Sequence, residues 1–275
     1  MQETVGYKAK KEMDEILYKD SGIYRNRQIR KATTITLKHA YQEIEVLWDE
    51  EVKYRPGFLI DGEYAKIPVL FSKINGMIDN KFDYWKEVRK LVTKNSIFIK
   101  KPHIIKTKFL RNFLYKFINC FKKNKLDIVK FKKSWAYKKY YILQNSVQEH
   151  LLEKVKFIID NKIFKGTFVN GTEKIIISTF LNLPNDILKL IHQFDFTEKN
   201  PKLIYLNLEN KIMPIEDAII LVLLHYVGFD ILIYTPNGIN CIDCYLNSKL
   251  INEYDVGNYV DDIKIPKLYL NKIFF

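Results

Sequence analysis

A Cys-x-x-Cys, Cys241-Ile242-Asp243-Cys244, stands just behind Thr235-Pro236-Asn237-Gly238. At a helix N-terminus such a pair favours thiolates and would suit redox chemistry. With two further ligands it would be half of a zinc site. Cys120 and the scattered His39, His103, His150, His192 and His225 show no pairing at ligand spacing, so no metal set is assigned. The plainer reading is two small, semi-buried cysteines brought together by i, i+3 helical geometry. Neither G-x-G-x-x-G nor G-x-x-x-x-G-K-[ST] occurs, so no cofactor is named by a motif and the cofactor stays unknown.

The four residues ahead of the cysteines have two uses. Phe229 to Tyr234 is apolar enough for a buried strand, and Pro-Asn-Gly is an ordinary turn after one. At the carboxyl end of a parallel strand the same residues would border a ligand crevice. Gly238 would then allow close backbone approach, and Thr235 and Asn237 would offer hydrogen bonds. A following helix would aim its N–H groups at an anion. The preceding strand ends in Asn207-Leu208-Glu209, on the same rim.

Other candidates have plainer explanations. His225 sits among Leu221, Leu223, Leu224 and Tyr226, as a core histidine would. Glu216 and Asp217 are accounted for as helix-start charges, and Asp261-Asp262 as solvated carboxylates near the chain end. Tyr54-Arg55-Pro56 puts a guanidinium at a helix exit, suited to a phosphate or carboxylate. No nucleophile–base pair is readable, so the sequence names no reaction.

The elements that must position these residues follow from periodicity. Ala9, Met13, Ile16 and Leu17 recur as on a helix, and Leu37, Tyr41, Ile44, Leu47 and Trp48 as on a second one ending before Pro56. Phe58 to Ile67 is a hairpin with Asp61-Gly62 as its positive-φ turn. Phe82–Val92 is an amphipathic helix and Ser96–Lys100 a short strand. Helices are expected over Val147–Ile159, Glu173–Asn182 and Pro184–Phe194. Strand Lys202–Leu208, an apolar helix from Pro214 to Val227, and strand Phe229–Tyr234 form a βαβ unit with parallel strands. The fold class is therefore α/β. A mainly helical region over 1–200, with the hairpin at 58–67, packs on a small Rossmann-like βαβ unit over 201–275.

The chain has 275 residues, 47% of them apolar, and a net charge of +13. Ala218–Tyr234 breaks at Gly228 into helix and strand, so no membrane partner is expected. Three cysteines and an opening poorly suited to export point to the cytoplasm. Between Lys100 and Lys139 thirteen lysines and Arg111 face the single Asp127, which is the whole of the charge excess. Aromatics run through the same segment, from Phe109, Phe113 and Phe117 to Phe131, Trp135, Tyr137, Tyr140 and Tyr141. That is the composition of a single-stranded nucleic-acid groove, and 100–141 carries the alternative, nucleic-acid-binding function. A helix with a core-facing aromatic stripe and a lysine-coated outer face explains it without a ligand.

Several stretches together are similar to the YceG-like family. They are Glu3–Leu17, Gly22–Ile29, Tyr54-Arg55-Pro56 with Asp61-Gly62, Ile67–Ile74 with Tyr84-Trp85, and Glu216 to Gly238. The resemblance implies a component of a biosynthetic module carried in bacterial tellurium-resistance and stress operons, with other proteins of the operon as partners. It also implies that this chain corresponds to the carboxyl-terminal part of longer relatives. Cys241 and Cys244 depart from the family's pattern while Asp243 keeps its acidic position. The Thr-Pro-x-Gly…Asp stretch as a recurring feature implies a ligand rim of Thr235, Asn237, Gly238 and Asp243, facing Asn207, for a small anionic or nucleotide-like metabolite. The resemblance carries no catalytic residue.

Overall fold

The computed structural model describes residue 29 and residues 31–78, 80–93, 96–100, 102–105, 120–239, 241–261 and 263–266. The helix expected around Ala9–Leu17, the Phe109–Phe113–Phe117 row and Asp262 lie outside the described residues.

Strand β1 (Lys31–Thr36) pairs in parallel with β3 (Tyr64–Val69), whose other edge takes β2 (Leu59–Asp61) antiparallel. Helix α1 (Ile44–Asp49) lies between β1 and β2 in sequence. After Leu70 the chain continues as β4 (Phe71–Asn75), followed by α2 (Lys81–Leu91) and β5 (Ser96–Ile99). Asn80 caps α2 by accepting the Phe82 and Asp83 N–H groups at 2.9 and 3.1 Å. A hairpin of β6 (Phe121–Lys122) and β7 (Lys125–Leu126) precedes α3 (Ile128–Lys132) and an eight-residue 3-10 helix, Trp135–Ile142. Then come α4 (Asn145–Asp160), α5 (Thr172–Leu181), α6 (Asn185–Gln193), β8 (Lys202–Leu206), α7 (Ile215–Val227), β9 (Asp230–Thr235) and β10 (Asn252–Asp255).

The main sheet has the order β10-β4-β9-β8-β5 and every neighbouring pair is parallel. Both faces are covered, so alternate residues of each strand feed different cores. Leu203, Tyr205, Ile231 and Ile233 enter the core formed with α4, α5, α6 and α7. Ile204, Leu206, Leu232 and Tyr234 enter the opposite core, with Trp48 of α1 and Tyr84, Trp85 and Val88 of α2. Helix α7 is apolar on nearly all sides because it is buried on nearly all sides. Among the described residues no helix is long and apolar enough to cross a membrane.

The α/β class and the parallel β8–α7–β9 unit hold. Three expectations need correcting. The parallel sheet is not confined to 201–275, because β4 and β5 come from the stretch assigned to the helical region. Residues before Pro56 are also less helical than their spacing suggests. The β-branched Thr33-Thr34-Ile35-Thr36 run pairs with β3, and Leu37 extends it by donating its N–H to Val69 O at 2.9 Å. The hairpin turn is shifted by one residue, since Asp61 still pairs with Tyr64. Gly62 (φ +54°) and Glu63 are therefore its central pair, and Gly62 alone needs a positive φ.

One buried ion pair fixes the start of β9. Arg55 reaches both carboxylate oxygens of Asp230 at 2.7 Å and also donates to Leu47 O (2.6 Å) and Pro68 O (3.3 Å). Asp230 Oδ1 accepts further bonds from Leu70 N (2.9 Å) and Asn200 Nδ2 (3.1 Å). Removing one partner would strand a charge in a site that water does not reach. Asp230→Ala should therefore cost about 3–5 kcal/mol in urea denaturation. The double change Arg55→Met with Asp230→Leu should recover more than half of that loss. A single-variant loss below ~1 kcal/mol would contradict this assignment.

Candidate functional site

The carboxyl ends of the parallel strands carry the polar groups. On the face where Phe71, Ile231, Ile233 and Leu203 are apolar, the same alternation brings up Lys73, Asn75, Thr235 and Asn207 further along. All four are buried. Lys73 Nζ contacts Glu253 Oε1 at 2.6 Å and Asp243 Oδ2 at 3.0 Å. Burial works hardest against the Lys73 charge, but the two carboxylates outweigh it and hold the ammonium above its ordinary range. Asn75 donates to Glu253 (2.8 Å) and Asp255 (3.0 Å), and its Oδ1 accepts from the Thr235 hydroxyl at 2.5 Å.

The sequence-derived rim is thus brought together in part. Asn207 follows β8 and is tied through its N–H to Tyr234 O at 2.9 Å. Its Nδ2 reaches Lys211 O at 3.4 Å, and its Oδ1 has no hydrogen-bond partner among the described residues. Asn237 spans the gap to the β8 side, donating to Glu209 O (3.1 Å) and Asn210 Oδ1 (2.9 Å). Gly238 (φ +68°) lies under the Tyr259 ring, where a Cβ would sit 2.8 Å from the ring carbons. Asp243 belongs with Lys73. Arg55 does not join them: it is locked to Asp230, at the amino end of β9, roughly 16 Å along the strand from Thr235.

The stretch after Gly238 also differs from expectation. Among the described residues no α-helix follows; Ile242–Tyr245 is a four-residue 3-10 turn. Cys241 is buried, Cys244 is exposed, and both are free thiols. Burial pushes the Cys241 thiol up to about 12 and raises that of Cys244, so neither is a ready thiolate. Cys244 Sγ donates to Cys241 O at 2.8 Å. Among the described residues no three His, Cys, Asp or Glu side chains gather as a metal-binding set.

Asp217 has a larger part than a helix-start charge. It is buried, and it accepts the consecutive His103 and Ile104 N–H groups (2.8 and 2.9 Å) and the Tyr205 hydroxyl (2.7 Å). Burial raises its pKa, opposed by those three donors. This carboxylate pins the loop after β5, where His103 has φ +71°. Beside that loop lies a cleft of about 510 Å³ lined by Ile97, Ile99, Lys100, Pro102, His103, Ile104 and Ile187. It opens at the carboxyl end of edge strand β5, between the sheet and α6.

Sequence reading missed Lys73, Asn75, Lys100, His103 and the clamp by Asp217. Lys73 and Asn75 left a signal: they follow Phe71 at every second position of a largely apolar run, and a lysine there needs a buried partner. Asp217 left none beyond its helix position, because its partners are backbone groups over a hundred residues away.

A YceG domain matches residues 38–265, a span that takes in the whole main sheet, the polar cluster and the cleft. The chain belongs to the YceG-domain family. It is 26% identical over 276 residues to "Uncharacterized protein YceG" of Bacillus subtilis (strain 168), across 97% of this chain. It spans half the length of that relative. No solved structure matches it.

His225 is the core histidine its neighbours suggested. Its ring stacks on Phe71 at 4.7 Å, its Nε2 lies 3.2 Å from Thr36 Oγ1, and burial depresses its pKa to about 3. His150 on α4 is likewise depressed to about 3 by burial, with Lys154 adding to the effect and the Val227 carbonyl opposing it. A folded-state pKa below the unfolded ~6.5 means full stability above that pH and loss as pH falls toward 3. Each histidine should contribute a slope of about 1.4 kcal/mol per pH unit within that window. His225→Gln should remove one such increment from urea-denaturation free energies measured between pH 6 and 4; an unchanged slope would show that His225 is protonated in the folded protein.

Proposed function

We propose that the chain binds a small anionic, nucleotide-like metabolite in the cleft at the carboxyl end of β5. The observation that carries this reading is the cleft's composition: isoleucine walls from β5, the following loop and α6, with Lys100 and His103 beside them. Its volume lies within the usual range for small-molecule sites, and its place agrees with the preference of parallel sheets for ligands at their carboxyl ends. Apolar walls would take the flat part of the ligand and Lys100 its charge. In this reading Lys73, Asn75, Asn207, Thr235, Asn237 and Asp243 hold the neighbouring strand ends rigid. The likeness seen in the sequence suggests that the ligand belongs to the biosynthetic module of tellurium-resistance and stress operons.

The test is thermal denaturation against a panel of nucleoside phosphates and sugar phosphates. At least one should raise the melting temperature, and Lys100→Glu or Ile187→Trp, which reverses the charge or fills the cleft, should abolish the rise. Loss of the shift in Asn237→Ala or Asp243→Ala, with Ile187→Trp unaffected, would move the site to the rim after β9. No shift with any member of the panel would overturn the reading.

A further inference from the structure

The basic aromatic segment divides into two populations. Phe131, Tyr137 and Tyr140 are fully buried, with Tyr137 stacked on Tyr140 (5.2 Å, 17°) and Tyr140 on Phe180 (4.6 Å, 20°). Trp135 and Tyr141 are 56% and 58% exposed. The division follows from the 3-10 helix Trp135–Ile142, in which side chains three apart eclipse one another. Tyr137 and Tyr140 form the inward row. Trp135, Lys138 and Tyr141 form another row, and all three are exposed.

We infer that this outer row is a docking platform for single-stranded nucleic acid. At a rise of ~2.0 Å per residue the row places an aromatic, a lysine and a second aromatic residue about 6 Å apart along the helix axis. That is wider than the ~3.4 Å repeat of a stacked strand and suits one whose bases are splayed, with a phosphate between two stacked bases. The platform is held from below: Tyr141 packs edge-on against Tyr137 at 5.8 Å and its hydroxyl donates to Lys132 O at 3.0 Å. Around it residues 120–142 hold eight lysines against Asp127, and Lys122, Lys123, Lys125, Lys130, Lys133 and Lys138 are exposed. Asp127 is engaged as the cap of α3, accepting from Lys130 N at 3.1 Å.

An anionic lipid surface is the other polyanion such a patch could meet, and Val129 and Ile142 are exposed beside it. The row itself argues against lipid. A membrane-inserting face keeps its charges on the opposite side, whereas here Lys138 stands between the two aromatic rings.

Binding of a fluorescein-labelled oligothymidylate would be followed by anisotropy, alongside the protein's own tryptophan fluorescence. Trp48 and Trp85 are buried, so quenching on binding would report on Trp135. The expected result is binding at low salt that weakens about twenty-fold or more between roughly 50 and 200 mM, as three or more phosphate contacts require. Trp135→Ala and Tyr141→Ala should each weaken it at least about five-fold, and Lys138→Glu should weaken it too, with cooperative thermal unfolding retained in all three. No binding at low salt, no quenching, or full affinity in the Trp135→Ala/Tyr141→Ala double variant would overturn the inference. So would binding to phosphatidylserine vesicles without binding to the oligonucleotide. None of these readouts involves the β5 cleft, so either proposal can fail without the other.

Discussion

Arg55 and Asp230 meet where neither has access to water, and much of the architecture is a consequence of satisfying them. A carboxylate and a guanidinium lose several kcal/mol of hydration each on burial, and only several partners in addition to one another make their position tolerable. Those partners come from α1 (Leu47), the β3–β4 junction (Pro68, Leu70), Asn200 and the first residue of β9. The small mixed sheet, the main sheet and the segment leading into β8 are thus tied together at one point. Such pairs are better at specifying an arrangement than at stabilising one, and here the arrangement specified is a register. With Asp230 anchored, Ile231 must lie beside Phe71 and Thr235 beside Asn75.

That register decides what the far end of the sheet can be. A slip of one residue would exchange the two faces of β9, sending Ile231 and Ile233 to one core and Leu232 and Tyr234 to the other. It would also turn Thr235 away from Asn75 and break the polar set around Lys73. The amino-end lock and the carboxyl-end cluster therefore depend on one another through six residues of strand. Arg55 matters to the candidate site although it is nowhere near it. The guanidinium that looked available for a phosphate is spent within the protein.

How much of this was legible in the sequence depended on how far apart the partners lie. The β8–α7–β9 unit could be read because its signals are local: an apolar run, Pro214 before the helix, Gly228 after it, and a second apolar run. Leu37 was misassigned because an isolated Thr-Thr-Ile-Thr run becomes a strand only when β3 is beside it. The same holds for β4, whose neighbours β9 and β10 lie more than 150 residues along the chain. The rim residues after β8 and β9 come near one another because adjacent parallel strands end together, whereas Arg55 lies at the opposite end of β9. The contacts of Asn237 with Glu209 and Asn210, of Asp243 with Lys73 and of Gly238 with Tyr259 could not be foreseen from spacing.

The carboxyl edge of the sheet is consequently uneven in what it leaves available. Over β4 and β9 the polar groups are matched to one another: Lys73 to two carboxylates, Thr235 to Asn75, and Asn75 to Glu253 and Asp255. A ligand there would have to displace bonds already made in a buried setting, where each lost partner costs about 1–3 kcal/mol. Over β5 the polar backbone is matched as well, by a different carboxylate. The two loop N–H groups best placed to meet an anion are already bound by Asp217. The cleft beside them is lined by Lys100 and His103 together with four isoleucines and Pro102. The clamp fixes the loop as one wall of the cleft, with its two N–H groups taken up by Asp217. Among the described residues β5 is an edge of the main sheet, and it is at this edge, beside the pinned loop, that the carboxyl end of the sheet opens into a cleft.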